Sequence, residues 1–224
     1  MDRAAFYTQI RASLFHGRLT QNQVDGLEGL LDAFETHADG SADTLAYGLA
    51  TAYHETGARM TPVREGFADS DREARRRVLG LAALRGPRSA VARYARPAGP
   101  HGHVYYGRGH VQLTWLDNYA ASSADAGCDL VADPDAMLDP VISARVMWRG
   151  LLDGRWNARG HGVRHYLDRG DWFEARRTVN LLDKAGPIAG YARQFAEAIE
   201  AAGGPPRPAA RGLIARLIER IRAA

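Results

Sequence analysis

The stretch AYGLATAYHETG, residues 46–57, decides how the rest of the chain can fold. Ser41 and Asp43 precede it as helix-start signals, and apolar residues recur at helical spacing as far as Tyr53. Gly57 then supplies a stop signal. The pattern predicts a helix that lies in the interior of the protein and carries Glu55 in its last turn.

Glu55 occupies a position that disfavours an anion. The C-terminus of a helix carries partial negative charge, and apolar neighbours leave little water to solvate a carboxylate. We therefore expect a carboxyl group that keeps its proton near neutral pH, which is what a general acid requires. A glutamate that frays into solvent at the end of its helix is the alternative interpretation.

The composition fits one soluble domain with an ordinary core. The chain has 224 residues, of which 46% are hydrophobic and 25% charged, with a formal net charge of +3. This excess of basic residues suits an anionic partner such as a cell-wall polymer, nucleic acid or acidic lipid, but it does not distinguish among them. The single cysteine, Cys128, excludes an intramolecular disulfide and a multi-cysteine metal site.

The chain shows neither a membrane-spanning stretch nor a secretion signal. No apolar run approaches the roughly 18 residues of a spanning helix, and the first eight residues lack the apolar core of a signal peptide. We therefore expect a protein that is made and kept in the cytoplasm. A target outside the membrane would require another factor to let the protein through.

A second carboxylate follows Glu55 by ten residues. Pro62 prevents the helix from continuing, so Glu65 is predicted to lie on a turn or loop, where Arg64 beside it favours the ionised form. Two carboxylates in such different environments form the pattern by which one acts as acid and the other as base. A solvated glutamate paired with Arg64 is the alternative.

Residues 69–96 hold eight arginines against three acidic residues. An arginine-rich face can follow an anionic polymer, although a solvated helix face is the commoner explanation. A platform for single-stranded nucleic acid would need stacking aromatic residues, and Tyr94 is the one aromatic residue here. Nucleic acid is therefore not an expected partner.

The stretch VYYGRGHVQLTWLDNY, residues 104–119, combines polar and aromatic side chains. The two glycines that flank Arg108 predict a short hairpin or an extended loop. Amides and hydroxyls beside flat aromatic faces suit a sugar, whose hydroxyls need hydrogen bonds and whose ring faces need apolar contact. The polar residues are Gln112, Thr114 and Asn118, and the aromatic residues are Tyr105, Tyr106 and Trp115.

Two motifs in order carry a family resemblance. HETG at 54–57 and YYGRGxxQLT at 105–114, followed by NY at 118–119, resemble the signature of family 19 glycoside hydrolases, which are chitinase-like enzymes. PVRE at 62–65, shortly after the first motif, and LFxGxLTQ at 14–21 make the chain similar to bacteriophage and prophage endolysins of that group. The resemblance covers about residues 5–200.

The resemblance implies a mainly α, lysozyme-like domain with a small β-hairpin or extended loop at its cleft. It makes Glu55 the general acid, Glu65 the base that activates water, and Thr114 the hydroxyl that helps hold this water. In plant chitinases the second acid lies much further from the first, so Asp69 and Asp71 are the alternatives to Glu65. The predicted substrate contacts are His54, Tyr105, Tyr106, Gln112, Asn118 and Asn180.

The implied activity is that of an endolysin which hydrolyses β-1,4 glycosidic bonds of bacterial peptidoglycan with inversion, after release from the host cytoplasm. A chitinase and a non-catalytic module that binds cell-wall glycans are the alternatives. No cofactor is implied. A zinc-peptidase helix motif fails because Ala58 stands where its second histidine would be, and no other ligand spacing predicts a metal.

The sequence divides into three parts. Residues 1–202 form the hydrolase-like domain, residues 203–209 form a linker rich in glycine and proline, and residues 210–224 predict a cationic amphipathic helix. Such a helix can pack on its own domain or on a partner chain. It can also lie on an anionic membrane or the outer surface of a cell.

Overall fold

The computed structural model describes residues 1–157 and 159–206 of the chain. The predicted helix at 210–224 and the end of the predicted linker lie outside the described residues. Within them the chain is mainly helical, as the sequence predicts, and it has one two-stranded sheet.

The helices of the described residues are α1 (Arg3–Ser13), α2 (Gln21–His37), α3 (Ala42–Glu55), α4 (Asp71–Arg85), α5 (Ala90–Tyr94), α6 (Leu116–Ala126), α7 (Pro140–Asp153), α8 (Arg164–Leu167) and α9 (Ala185–Ala201). Short 3-10 helices lie at Glu65–Phe67, Pro134–Leu138 and Glu174–Thr178.

Helix α3 is the central element, as its apolar pattern predicts. The Ser41 side chain caps its first turn, and every residue from 44 to 52 is buried. The indole of Trp148 on α7 lies so close to Gly48 that a Cβ at this position would stand 2.0 Å from the ring. Helix α9 packs along α3, so the two helices and α7 enclose the main core.

Helices α1 and α2 support this core from the outside. The start of α2 is fixed by a capping box, in which Thr20 and Gln23 satisfy each other's backbone N–H groups. Helix α1 packs on α9 and α2 packs on α7. Phe6 and Ile10 of α1 are fully buried. Apolar residues at helical spacing predict two amphipathic helices, one within residues 2–15 and one that Thr20 caps, and α1 and α2 confirm both.

Residues 71–96, which form α4 and α5, make a small lobe with an apolar cluster of its own. The cluster contains Val78 and Val91 and is completed by Val104 and Tyr106 from the following segment. The arginines of the lobe lie mostly on its exposed side. The small lobe is thus a separate packing unit that stands beside the main core.

The sheet joins two segments that are distant in sequence. Strand β1 (Val63–Arg64) pairs antiparallel with β2 (Arg108–Gly109), so that Arg64 stands opposite Arg108. The sequence predicts a short hairpin or an extended loop around Arg108, and a tight hairpin turn is present there. Arg108 does form an antiparallel bridge with Leu113 across a tight turn, but the regular strand pairing is with β1.

Arg108 fastens the sheet to the small lobe and to the 3-10 helix at 134–138. Its guanidinium group is 1% exposed and forms ion pairs with Asp135 at 2.7 Å and Asp71 at 3.3 Å. Arg64 binds the same Asp135 at 2.8 Å. The alternative interpretation, in which Glu65 is a solvated partner of Arg64, is therefore not observed, because the guanidinium group of Arg64 binds Asp135.

The C-terminal part closes the main core. The sequence predicts a helix from Asp171 to Asn180, and the structure has only the 3-10 turn at Glu174–Thr178 there. Helix α9 follows and ends at Ala201. None of the helices in the described part of the chain is long and apolar enough to cross a membrane.

Candidate active site

A groove of about 520 Å³ lies between the small lobe and the main core. Its walls are formed by the end of α3, the start of the 3-10 helix at 65–67, the 107–118 segment, the turn at 156–157 and the 176–181 segment. Its polar lining residues include Glu55, Glu65, Gln112, Thr114, Asn118, Asn157 and Asn180.

Glu55 is the last residue of α3, and its side chain is 15% exposed. Nη2 of Arg176 lies 2.7 Å from Oε1 of Glu55, and the side chain of Arg176 is 3% exposed. Arg176 also donates from Nε to the backbone carbonyl of Asp183. No local sequence pattern points to this arginine, and the environment of Glu55 is therefore not purely apolar as predicted but includes a buried cation.

Glu65 is held by two donors at the other side of the groove. The Tyr94 hydroxyl donates to Oε1 at 2.6 Å, and the backbone N–H of Gly107 donates to Oε2 at 2.8 Å. Burial, together with the charge and hydrogen bond of Glu65, raises the pKa of Tyr94 well above its ordinary value. The Tyr94 hydroxyl therefore keeps its proton and donates a hydrogen bond to the carboxylate of Glu65.

The alternative second acids do not reach the groove. Asp71 pairs with Arg75 at 2.7 Å and with Arg108, and it accepts from the Tyr106 hydroxyl. Asp69 is exposed at the start of the small lobe. Among the described residues, the carboxylates that line the groove are those of Glu55 and Glu65. The described ranges contain no cluster of three or more His, Cys, Asp or Glu side chains suited to a metal ion.

A chain of hydrogen bonds orders the polar floor of the groove. The side-chain amide of Gln112 donates to the carbonyls of Val63 and Gly109 and so holds the turn onto β1. Thr114 donates its hydroxyl to the carbonyl of Gln112 at 2.9 Å, and Asn118 donates its amide to the carbonyl of Thr114 at 2.8 Å. The hydroxyl oxygen of Thr114 and the amide oxygen of Asn118 keep acceptor capacity for a ligand.

Two tryptophans supply apolar faces to the groove. Trp115 packs edge-on against Tyr94, with ring centroids 5.3 Å apart, and its backbone φ of 79° is strained for a non-glycine residue. Trp156 donates to the Ser122 hydroxyl and packs over Gly150, where a Cβ would stand 2.1 Å from its ring. Trp156 is not among the predicted site residues, although Gly150 within an apolar helix is a signal for such close packing.

Asn180 lies where the sequence places it, at the groove. Its side-chain oxygen accepts from the backbone N–H of Leu181, which leaves its amide N–H groups available to a ligand. Leu181 is 75% exposed and forms part of the same wall.

The structure corrects two predicted substrate contacts. Tyr105 and Tyr106 are at most 1% exposed, and their hydroxyls bind the carbonyl of Val131 and the carboxylate of Asp71. Their rings belong to the core, so the prediction that they face a sugar is wrong. The physical reason is that the 104–107 segment runs between two apolar clusters, so Tyr106 fills the cluster of the small lobe and Tyr105 packs in the main core.

His54 stands next to the groove but not among the residues that line it. Its half-buried ring stacks on Tyr191, with centroids 6.4 Å apart. Burial lowers the pKa of His54, and the charge of Glu55 opposes this effect without reversing it. His54 is therefore a neutral neighbour of Glu55, and the structure does not place it at the substrate.

The family model for glycoside hydrolase family 19, described as chitinase class I, matches residues 41–164, which is more than half of the chain. The chain belongs to glycoside hydrolase family 19. The matched range includes Glu55, Glu65, Gln112, Thr114 and Asn118. Arg176 and Asn180 of this family 19 protein lie beyond it.

Two curated plant proteins share part of the sequence. An inactive chitinase-like protein 1 of Hevea brasiliensis is 34% identical over 83 residues, which are 31% of this chain and 26% of that protein. An endochitinase of Persea americana is 35% identical over 74 residues, which are 27% of this chain and 22% of that protein. The family 19 chain therefore spans about a quarter of the length of these relatives.

Solved structures share the fold over most of the chain. Chitinase C of Streptomyces griseus HUT6037 superposes with a TM-score of 0.51 and 23% identity, covering 93% of this chain and 78% of that one. A bacterial family 19 chitinase superposes with a TM-score of 0.54 and 21% identity, covering 93% and 97%. These likenesses show that the chain shares the fold of these bacterial chitinases.

Proposed function

We propose that this family 19 protein is a glycoside hydrolase that cleaves β-1,4 bonds of an amino-sugar polymer, with bacterial peptidoglycan as its substrate. The observation that carries the proposal is the pair Glu55 and Glu65, the two carboxylates that line one groove in the described part of the chain. Because one plant relative is named inactive and another an endochitinase, family membership does not by itself decide activity.

Glu55 acts as the general acid in this proposal. Its Oε1 is engaged by Arg176, so Oε2 is the oxygen that delivers the proton to the leaving glycosidic oxygen. The carboxylate left behind is stabilised by Arg176, because the buried guanidinium group already lies at 2.7 Å and needs no reorganisation. The rigid end of α3 holds the acid in place.

Glu65 acts as the base on a water molecule. Each of its oxygens accepts one hydrogen bond and retains a second acceptor site, so it can take a proton from water without losing Tyr94 or Gly107. Thr114 donates to the carbonyl of Gln112 and can accept the other hydrogen of this water. The lone pair of the water oxygen then points at the anomeric carbon. Attack from the side opposite the leaving group inverts the configuration.

Trp115 and Trp156 support a sugar polymer as the occupant of the groove. Indole faces contact the apolar faces of sugar rings, while the side-chain amides of Asn118 and Asn180 serve the hydroxyl and acetamido groups. Chitin oligomers offer the same rings, and the endochitinase relative favours chitin as the second candidate substrate.

Substitution of the two carboxylates tests the chemistry. We expect Glu55→Gln and Glu65→Gln each to lower kcat by at least about a hundredfold while binding to purified cell walls persists, since the amide keeps the shape but cannot transfer the proton. Glu197→Gln, an exposed change on α9, is the matched control. Full lysis by Glu55→Gln would remove this residue from the mechanism.

Product analysis tests the substrate and the stereochemistry. Digestion of purified peptidoglycan and of colloidal chitin, followed by reducing-end analysis, identifies the bond that is cut. Proton NMR of early products reports the anomer, and inversion requires the α-anomer from a β-linked chain. Turnover of chitin alone would overturn the assignment to peptidoglycan, and a β-anomer would overturn the mechanism.

The sequence of residues 210–224 is that of a cationic amphipathic helix. Residues 210–224 are proposed to contact an anionic membrane or the outer cell surface, in addition to the wall-cleaving groove. Deletion of residues 205–224 should then leave hydrolysis of soluble wall fragments intact and reduce the killing of whole cells. Loss of hydrolysis in this variant would contradict the separation of roles.

A further inference from the structure

The small lobe, residues 71–96, carries an unbalanced positive charge. It contains eight arginines and two acidic residues, a net charge of +6, whereas the whole chain has +3. The remainder of the chain is therefore net negative. An uneven distribution of this size steers an anionic partner to one side of the molecule.

The acidic residues of the lobe neutralise only one end of it. Asp71 pairs with Arg75 at 2.7 Å, and Glu73 pairs with Arg77 at 2.6 Å and with Arg76 at 3.6 Å. The arginines toward the other end have no carboxylate within ion-pair distance among the described residues. These are Arg85, Arg88, Arg93 and Arg96, and all four are exposed.

Two of these arginines border the groove beside Glu65. Arg85, the last residue of α4, lines the groove. The guanidinium carbon of Arg93 lies 5.2 Å from the ring centroid of Trp115, which lines the groove as well. Tyr94, which donates to Glu65, follows Arg93 in the chain and lines the groove together with Arg85. We call Arg85 and Arg93 the rim arginines.

The opposite wall offers no equivalent charge. Arg176 is committed to Glu55, and Arg177 forms an ion pair with Glu174. Among the lining residues that the structure describes, Arg85 is thus the cation whose charge no carboxylate offsets. Like charges held together without partners repel each other, and an anionic ligand relieves this repulsion.

We propose that the rim arginines bind carboxylates on the peptide stems of peptidoglycan and so select this polymer over uncharged chitin. Both polymers share the β-1,4-linked amino-sugar backbone, but only peptidoglycan carries substituents that end in carboxylates. The planar guanidinium group matches a carboxylate with two parallel hydrogen bonds. This inference rests on the proposed glycosidase function and assigns the substrate preference to named residues.

The test compares one glycan in two charge states. Soluble peptidoglycan strands are used as isolated, and again after carbodiimide coupling of their carboxyl groups to ethanolamine, which makes the stems neutral. For the Arg85→Glu/Arg93→Glu variant, we expect the ratio of kcat/KM on native strands to kcat/KM on neutralised strands to fall about tenfold at low salt. In the parent protein this ratio should itself fall as salt is raised.

Arg11→Glu/Arg18→Glu is the matched control, because it changes the net charge equally at exposed positions outside the small lobe. The control should keep the ratio of the parent protein. An equal fall in the control would show that net charge alone determines the ratio. An unchanged ratio in the rim variant would show that the rim arginines do not bind the stem carboxylates. Either result overturns the inference.

Binding separates failure of this inference from failure of the proposed function. If the parent protein hydrolyses neither polymer, retention of the Glu55→Gln protein on native and on carboxyl-neutralised insoluble walls is compared. Weaker retention on neutralised walls supports the binding of stem carboxylates by the rim arginines, even if the protein has no catalytic activity. This difference must depend on Arg85 and Arg93. Equal retention on both walls, or retention that only a phosphate polymer displaces, overturns it.

Discussion

The Tyr94 hydroxyl donates to Oε1 of Glu65 at 2.6 Å, although the two residues are 29 positions apart and belong to different packing units. The contact links α5 of the small lobe to the segment that follows β1. The small lobe therefore helps to position the carboxylate of Glu65, and a shift of this lobe would move the Tyr94 donor relative to it.

Removal of this hydroxyl should slow the reaction. We expect Tyr94→Phe to lower kcat by about tenfold or more, because a hydrogen bond to a charged group contributes about 1.5–3 kcal/mol and here fixes the orientation of the base. The ring contact with Trp115 is retained in phenylalanine. Steady-state kinetics on soluble wall fragments measures the effect.

Tyr7→Phe is the control for this prediction. Tyr7 donates to Glu28 at 2.7 Å on the far side of the core, so the same atom is removed from a similar pair outside the groove. The control should keep the parental kcat. Equal activity of both variants would mean that Tyr94 does not position Glu65.

Loss of the buried guanidinium group of Arg108 should destabilise the fold. Arg108→Met removes the cation that Asp71 and Asp135 share and the donor to the buried carbonyl of Val104. Asp71 keeps Arg75 and Asp135 keeps Arg64, so we expect a loss of about 1–3 kcal/mol. Arg3→Met, which removes a partly exposed pair with Glu28, should cost less than about 1 kcal/mol. Urea unfolding of both variants checks this, and similar losses would contradict the role of Arg108.

His110 should make stability depend on pH. Its Nε2–H donates to the carbonyl of Met60 and its Nδ1 accepts from the Ser143 hydroxyl, so the neutral ring satisfies every partner. Burial lowers its pKa to about 4 from 6.5. Because the folded state binds this proton less readily than the unfolded state, the contribution is complete above pH 6.5. It is lost as the pH falls toward 4, by about 3 kcal/mol.

The pH prediction is checked by the free energy of unfolding measured between pH 7 and 4. His110→Gln should show a shallower fall over this range than the parent protein, whatever its absolute stability. His16→Gln, at an exposed position, should keep the parental slope. An unchanged slope in the His110 variant would show that this residue does not carry the dependence.

A methyl group at Gly48 should be more harmful than one at Gly29. Gly48→Ala places its Cβ 2.0 Å from the Trp148 ring, and we expect a loss of about 1–3 kcal/mol from overpacking. A Cβ at Gly29 of α2 meets nothing within 4 Å, so Gly29→Ala should gain about 0.5–1 kcal/mol through helix propensity. Thermal unfolding of the two variants measures both shifts, and equal shifts would argue against close packing of α3 on α7.

The sequence by itself determined the elements whose signals are local. Helix α3, its cap at Ser41 and the position of Glu55 in its last turn follow from a repeat of a few residues and from end signals next to it. The motif from 105 to 114 predicted that Gln112 and Thr114 would serve the groove. Both line it because the turn after β2 is built from neighbouring residues.

Only the tertiary structure decided which distant side chains complete the groove. Arg176 reaches Glu55 across 121 positions, and Tyr94 reaches Glu65, because helices and loops bring together residues that no local pattern relates. The same packing turned Tyr105 and Tyr106 into the core. Periodicity fixes which face of an element is apolar, but the neighbour that covers this face is chosen by the fit of whole surfaces.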